Sequence, residues 1–228
     1  MKTYFVTDRG RKRDINQDYV FCSETPVGRL PNLFIVADGM GGHRAGDFAS
    51  RFAVEEFVRQ LEQSGVKTVI SSMEEALRQT NRGLLKEAQG RPELEGMGTT
   101  FVAATVMGSE LYVANVGDSR LYLIDQKKIS QITQDHSLVE EMIRRGELRR
   151  EEARFHPNKN VITRALGANV SIVPDFFEAS VSPGDIVLLC SDGLSNMMDD
   201  EEMYRVICEN RHDVSEAGGR LLALANEY

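Results

Sequence analysis

Apolar residues along this chain follow two rhythms. Across 45–61, Ala45, Phe48, Ala49, Phe52, Ala53, Phe57 and Leu61 recur at helical spacing, and Met73, Ala76, Leu77, Leu84 and Leu85 do so across 71–87. Two amphipathic helices in succession are predicted. Elsewhere the apolar residues come in short runs rich in β-branched side chains, at 33–37, 99–107, 110–116, 120–124, 129–133, 173–181 and 186–190, which predicts strands. The Gly117-Asp118 pair between two of these runs predicts a hairpin with Asp118 at its tip, and Gln126-Lys127-Lys128 makes the next turn. Residues 138–146 are expected to be helical, 147–160 to be a charged irregular excursion broken by Pro157, and 199–209 and 214–226 to be closing helices. Strands joined by tight turns, with helices in blocks rather than strict alternation, predict an α+β fold with helices packed outside antiparallel sheets.

At 228 residues, with no repeat, low-complexity tract or linker, the chain is expected to form one domain over 1–228. Its 27 Lys and Arg against 35 Asp and Glu give a net charge of −8, which argues against nucleic-acid binding by phosphate neutralisation. Cys22, Cys190 and Cys208 are odd in number and sit in apolar surroundings, as small hydrophobes of a reducing compartment do. The first thirteen residues lack the apolar stretch of a signal peptide, and no run is long enough to span a membrane. A cytoplasmic protein is therefore expected, with no membrane association.

The candidate chemistry lies where apolar runs end in acids. Asp38 follows 33–37, Asp118 follows 111–117 and Asp192 follows 186–191, so three strands are expected to deliver carboxylates to turns. A carboxylate beside a core needs a hydrogen-bonded partner or a cation. Oxygen donors, only four histidines and no Cys-x-x-Cys pair favour Mg²⁺ or Mn²⁺ over zinc. Glycines at 39, 41 and 42 let backbone approach an ion closely and leave the Gly39 carbonyl as a ligand, while Asn16 and Asp18 are candidates to orient metal waters. Arg13 offers a fork for phosphate oxygens. No Cys-x5-Arg, Asp-x-Asp or Gly-x4-Gly-Lys-Ser/Thr motif is present, so neither a covalent nucleophile nor a nucleotide cradle is expected.

Taken in order, Arg13-x-x-Asn16-Gln17-Asp18, Val36-Ala37-Asp38-Gly39-Met40-Gly41-Gly42-His43, Gly98-Thr99-Thr100, Asn115-Val116-Gly117-Asp118-Ser119-Arg120, Thr133-Gln134-Asp135-His136-Ser137, Ile162-Thr163-Arg164-Ala165-Leu166-Gly167 and Leu189-Cys190-Ser191-Asp192-Gly193-Leu194 resemble the protein phosphatase 2C family of metal-dependent Ser/Thr phosphatases, in its compact bacterial form. The resemblance implies a sandwich of two antiparallel sheets flanked by helices on both sides. It implies that Asp38 bridges two ions, Gly39 offers its carbonyl, Asp192 binds one ion and Asp18 acts through water. Asp118, with Asp192, would hold a weaker third ion, Arg13 would bind phosphate, and residues from about 140 to 160 would form a flap beside the cleft. The implied reaction is hydrolysis of phosphoserine and phosphothreonine in proteins by a metal-activated water, with two or three Mn²⁺ or Mg²⁺ ions. Phosphorylated proteins are the implied substrates, in a bacterial signalling role opposite a Ser/Thr kinase, and a monomer is expected.

Two departures qualify that expectation. Met40 stands where eukaryotic relatives carry a histidine proposed as general acid, which leaves His43 or a metal-bound water for that role. The family's closing Gly-Gly-x-Asp-Asn-x-Thr segment and last strand are not in the chain, so a C-terminally truncated domain without that strand is expected. The alternative function is a catalytically weakened phosphoprotein-binding regulatory module on the same scaffold. Asp135 and His136 are expected to form a local hydrogen-bonded turn. Arg144, Arg145, Arg149, Arg150 and Arg154, interleaved with Glu147, Glu151 and Glu152, are expected to form a solvated charged face.

Overall fold

The computed structural model describes residues 1–42 and 45–228. Strands β1 (Asp18–Ser23), β2 (Leu33–Met40), β4 (Phe101–Met107), β5 (Glu110–Val116) and β8 (Asp175–Ser180) lie side by side in that order, every pair antiparallel, with the short β3 (Gly98–Thr99) paired to the end of β2. The second sheet holds β7 (Ile129–Gln131), β6 (Arg120–Ile124) and β9 (Ile186–Cys190), also antiparallel.

Three apolar layers stack these elements. Helices α1 (Ala45–Gln63) and α2 (Val69–Ala88) bury Phe57, Leu61, Met73, Leu77 and Leu84 against Ile35, Phe101 and Ala103 of the first sheet. That sheet's other face places Val36, Val102, Ala104, Leu111 and Val113 against Leu121, Val187 and Leu189 of the second. Tyr122, Ile124 and Cys190 then meet Met203, Val206, Ile207 and Leu221 of α6 (Asp200–Glu209) and α7 (Val214–Glu227). The result is the expected helix–sheet–sheet–helix sandwich. Strand β4 is covered on both faces, which is why its sequence is apolar at every position but Thr105 instead of alternating. The helices start where side chains satisfy free backbone N–H groups: Thr68 accepts from Ser71 N–H, and Asp199 from Glu202 N–H.

The expected hairpin at Asp118 does not form. β5 pairs with β4 and β8, and β6 pairs with β7 and β9, so 117–119 carries the chain from one sheet to the other. Gly117, at φ 109, permits that sharp exit, and the inward residues of β5 and β6 meet face to face across the sandwich instead of edge to edge. The helix expected over 138–146 is α3 (Leu138–Arg144), and the charged excursion after it contains the single turn α4 (Arg150–Ala153). Its charged side chains pair along the surface, as in Arg149–Glu152 and Arg150–Glu140. All three cysteines are free. Among the described residues no helix is long and apolar enough to cross a membrane.

Candidate active site

Four acids converge at one end of the sandwich, each delivered by a different element. Asp18 opens β1 and pairs in register with Asp38 of β2. Asp192 opens the short helix α5 (Asp192–Ser195) directly after β9, and Asp118 lies on the crossover between the sheets. Asp38 thus sits inside its strand and not, as the run-then-turn pattern suggested, in a turn beyond it. The antiparallel register is what sets it opposite Asp18.

The backbone around Asp38 is held from several sides. Its N–H donates to Thr100 Oγ1 at 2.9 Å, and its carbonyl accepts from Thr100 N–H at 2.9 Å and from Thr99 Oγ1 at 3.0 Å. The Thr100 and Ser119 hydroxyls bond at 2.7 Å, which ties this strand to the Asp118 crossover. Gly39 donates its N–H to Gln17 O at 3.0 Å, and Ser50 Oγ donates to the same carbonyl at 2.6 Å. A Cβ on Gly39 would lie 1.9 Å from Gly46 O, so only glycine lets the end of β2 press onto the start of α1.

Electrostatics at the cluster are strongly unfavourable to four separate negative charges. Burial, then the charges of Asp18 and Asp192, push the Asp38 carboxyl up to about 9. Burial and Asp192 push Asp118 up to about 7, with Asp135 adding to it and Arg120 opposing it. Asp18 is also raised, mainly by burial, against the Ser191 hydroxyl that donates to its Oδ2 at 2.6 Å. Asp192 Oδ2 accepts from Asn196 Nδ2 at 2.9 Å. Asp38 lies within hydrogen-bonding reach of both Asp18 and Asp192, and this crowding favours its protonated form.

The donor set suits a hard divalent cation: carboxylate oxygens, no thiolate or imidazole, and no lysine or arginine paired with Asp18, Asp38 or Asp192 in any ion pair of the described residues. Among those residues no three acidic, histidine or cysteine side chains form a finished ligand cage; the acids touch in pairs. Shared protons and bound cations are the two physical remedies for such crowding. Asp38, Asp18, Asp192 and Asp118 are the side chains that could hold ions.

Other candidates fall differently. Arg13 is exposed on the segment leading into β1 and makes no hydrogen bond or ion pair within the described residues, so it is not drawn into the cluster. His43 lies outside the described residues. Asp135 and His136 make no local turn of their own. Asp135 takes a forked ion pair from Arg120 at 2.7 Å, and His136 binds Gly117 and Asp175. The functional residues that sequence reasoning missed are these long-range partners together with Thr99, Thr100, Ser119 and Ser191. The Gly98-Thr99-Thr100 string was visible, but no spacing rule connects it to Asp38.

The protein phosphatase 2C family profile matches residues 7–226. The chain is 40% identical over 232 aligned residues to the serine/threonine phosphatase stp of Listeria monocytogenes, covering 100% of this chain and 91% of that one. The solved S. agalactiae serine/threonine phosphatase superposes with a TM-score of 0.89 at 34% identity, covering 97% of this chain and 91% of that one. The catalytic domain of the serine/threonine phosphatase PstP, in complex with two manganese ions, superposes with a TM-score of 0.82 at 32% identity, covering 96% and 89%.

Proposed function

This chain belongs to the protein phosphatase 2C family, and on that footing we propose that it removes phosphate from phosphoserine and phosphothreonine in proteins with the help of two or three Mn²⁺ or Mg²⁺ ions. The observation that carries the reading is the convergence of Asp18, Asp38, Asp118 and Asp192, half-buried acids from four places in the chain, with the carboxyls of Asp18, Asp38 and Asp118 pushed up by burial and by neighbouring acids.

When bound, the ions would supply Lewis acidity toward phosphoryl oxygens and lower the pKa of an attacking water. The chain's part is to hold and orient. Asp38 would bridge two ions, with its strand locked by Thr99 and Thr100. Gly39 would contribute its carbonyl, Asp192 would serve one ion, and Asp118 with Asp192 a third. Asp18, oriented by Ser191, would act through water. Arg13, whose guanidinium is exposed and unengaged among the described residues, would take the phosphate oxygens as a fork. Direct hydrolysis needs no side-chain nucleophile, and the only buried cysteine, Cys190, has its thiol pushed up to about 12 by burial, which keeps it unreactive. The segment from about 140 to 160 would be the flap that shapes substrate choice. We assign the protein to the cytoplasm, as a monomer opposing a Ser/Thr kinase; three free cysteines support a reducing compartment.

The test is Mn²⁺-dependent hydrolysis of a phosphothreonine peptide beside an Asp38→Asn/Asp192→Asn double variant. Activity lost in the variant is expected. A double variant as active as the parent would overturn the site assignment, and a folded, Mn²⁺-loaded parent without activity would favour the binding-module alternative.

A further inference from the structure

One residue near the acids grips a turn that the proposed mechanism uses but does not explain. His136 takes hold of both backbone polar atoms of Gly117, the residue before Asp118: Gly117 N–H donates to His136 Nδ1 at 3.1 Å, and His136 N–H donates to Gly117 O at 2.9 Å. An acceptor at Nδ1 requires the proton on Nε2, and Nε2 is placed to donate it to Asp175 Oδ2 at 3.0 Å. Arg164 Nη1 donates to Asp175 Oδ1 at 3.0 Å and stands 3.2 Å from Nε2, so a carboxylate receives both donors and a cation beside the ring disfavours a second charge on it. The imidazole is only 4% exposed, and burial with Arg164 holds it below its ordinary value despite Asp175 and Asp135.

The same residue reaches the root of the excursion. His136 O accepts from Thr163 N–H at 2.7 Å, and Ser137 bridges to Ile162, so both ends of the 138–161 segment are anchored at this point. Only glycine fits at this turn: the φ of Gly117 is 109, and Thr100 Cβ lies 2.7 Å from where a Cβ would be, so the turn is built on the most flexible residue and depends on the contacts that hold it.

The geometry points to His136 as a positioning residue, in its neutral Nε2–H form, that fixes the Gly117–Asp118 turn and couples the Asp118 carboxylate to the base of the 138–161 segment. It makes no contact with substrate. The inference rests on the reading of Asp118 as an ion ligand. It follows that how tightly the Asp118-dependent ion binds depends on an acceptor at the Nδ1 position.

Two substitutions separate positioning from mere packing, because asparagine can place an acceptor near Nδ1 whereas glutamine reaches toward Nε2 instead. In Mn²⁺ titration calorimetry with the 228-residue chain, His136→Gln is expected to weaken the Asp118-dependent step by about tenfold or more and to speed amide exchange at Gly117. His136→Asn should keep both near the parent values. Asp118→Asn is the reference: if it leaves the titration unchanged, the reading of Asp118 as a ligand fails, and Gly117 exchange alone then decides whether His136 holds the turn. Glutamine and asparagine variants that both match the parent in titration and exchange overturn the inference. Should neither variant fold, ¹⁵N NMR of the parent protein decides: an Nε2–H tautomer is required, and a proton found on Nδ1 at neutral pH refutes it.

Discussion

Replacing Asp38 with asparagine is expected to abolish phosphatase activity and yet stabilise the ion-free fold in alkaline solution. Burial and the neighbouring acids raise the Asp38 carboxyl from 3.8 to about 9, so between those values the folded chain binds a proton that the unfolded chain releases. A group with a raised folded value contributes most below its unfolded value, and that contribution is lost as pH rises through the folded one. Each pH unit in the window therefore removes about 1.4 kcal/mol, giving a ceiling near ~6 kcal/mol at about pH 8. Asp38 is partly open to solvent, and the acids share protons, so a realistic penalty is about 2–3 kcal/mol. Asparagine has the shape and neutrality of the protonated carboxyl, can donate to Asp18 and Asp192, and escapes the penalty. In EDTA at about pH 8 its melting temperature should exceed the parent's by about 4–10 °C, the gap shrinking to within about 3 °C near pH 5. Thermal unfolding followed by circular dichroism at both pH values measures this. A variant less stable than the parent at the higher pH, or a gap independent of pH, would refute the claim that crowded acids are the source of strain.

Three further outcomes are expected. Thr100→Val strips the hydroxyl that accepts from Asp38 N–H and bonds Ser119, leaving a donor without a partner, and should cost about 1–3 kcal/mol in urea unfolding along with a fall in kcat; unchanged unfolding would show that the clamp contributes nothing. Gly117→Ala forces a side chain into positive φ and against Thr100, with a loss of about 2–4 kcal/mol by the same measurement. Asp135→Asn leaves the largely buried Arg120 guanidinium without its forked partner and should destabilise by about 2–4 kcal/mol, whereas joint replacement of Arg120 by Met and Asp135 by Leu should cost less than the single change; a double variant worse than the single would contradict this.

Much of this protein was legible before its fold was known, because local physics governs those parts. Helical periodicity placed α1 and α2, β-branched and apolar runs placed most strands but not β1, which carries Asp18, and acids at the ends of apolar runs marked Asp38, Asp118 and Asp192. The expectation of a hard divalent cation came from side-chain chemistry: clustered oxygen donors, no Cys-x-x-Cys pair and only four histidines. The tertiary structure decided the pairing, which no local signal encodes. Asp18 meets Asp38 only through the register of β1 against β2. The 117–119 link looked like a hairpin because two strands flank a Gly-Asp pair, yet burying both faces of β4 and β5 took priority and sent β6 to the other sheet. His136, read as part of a local turn, serves residues nineteen and thirty-nine positions away, Gly117 and Asp175. Short-range propensity determines which segments become helix or strand, whereas only packing in three dimensions selects which distant polar atoms must satisfy one another.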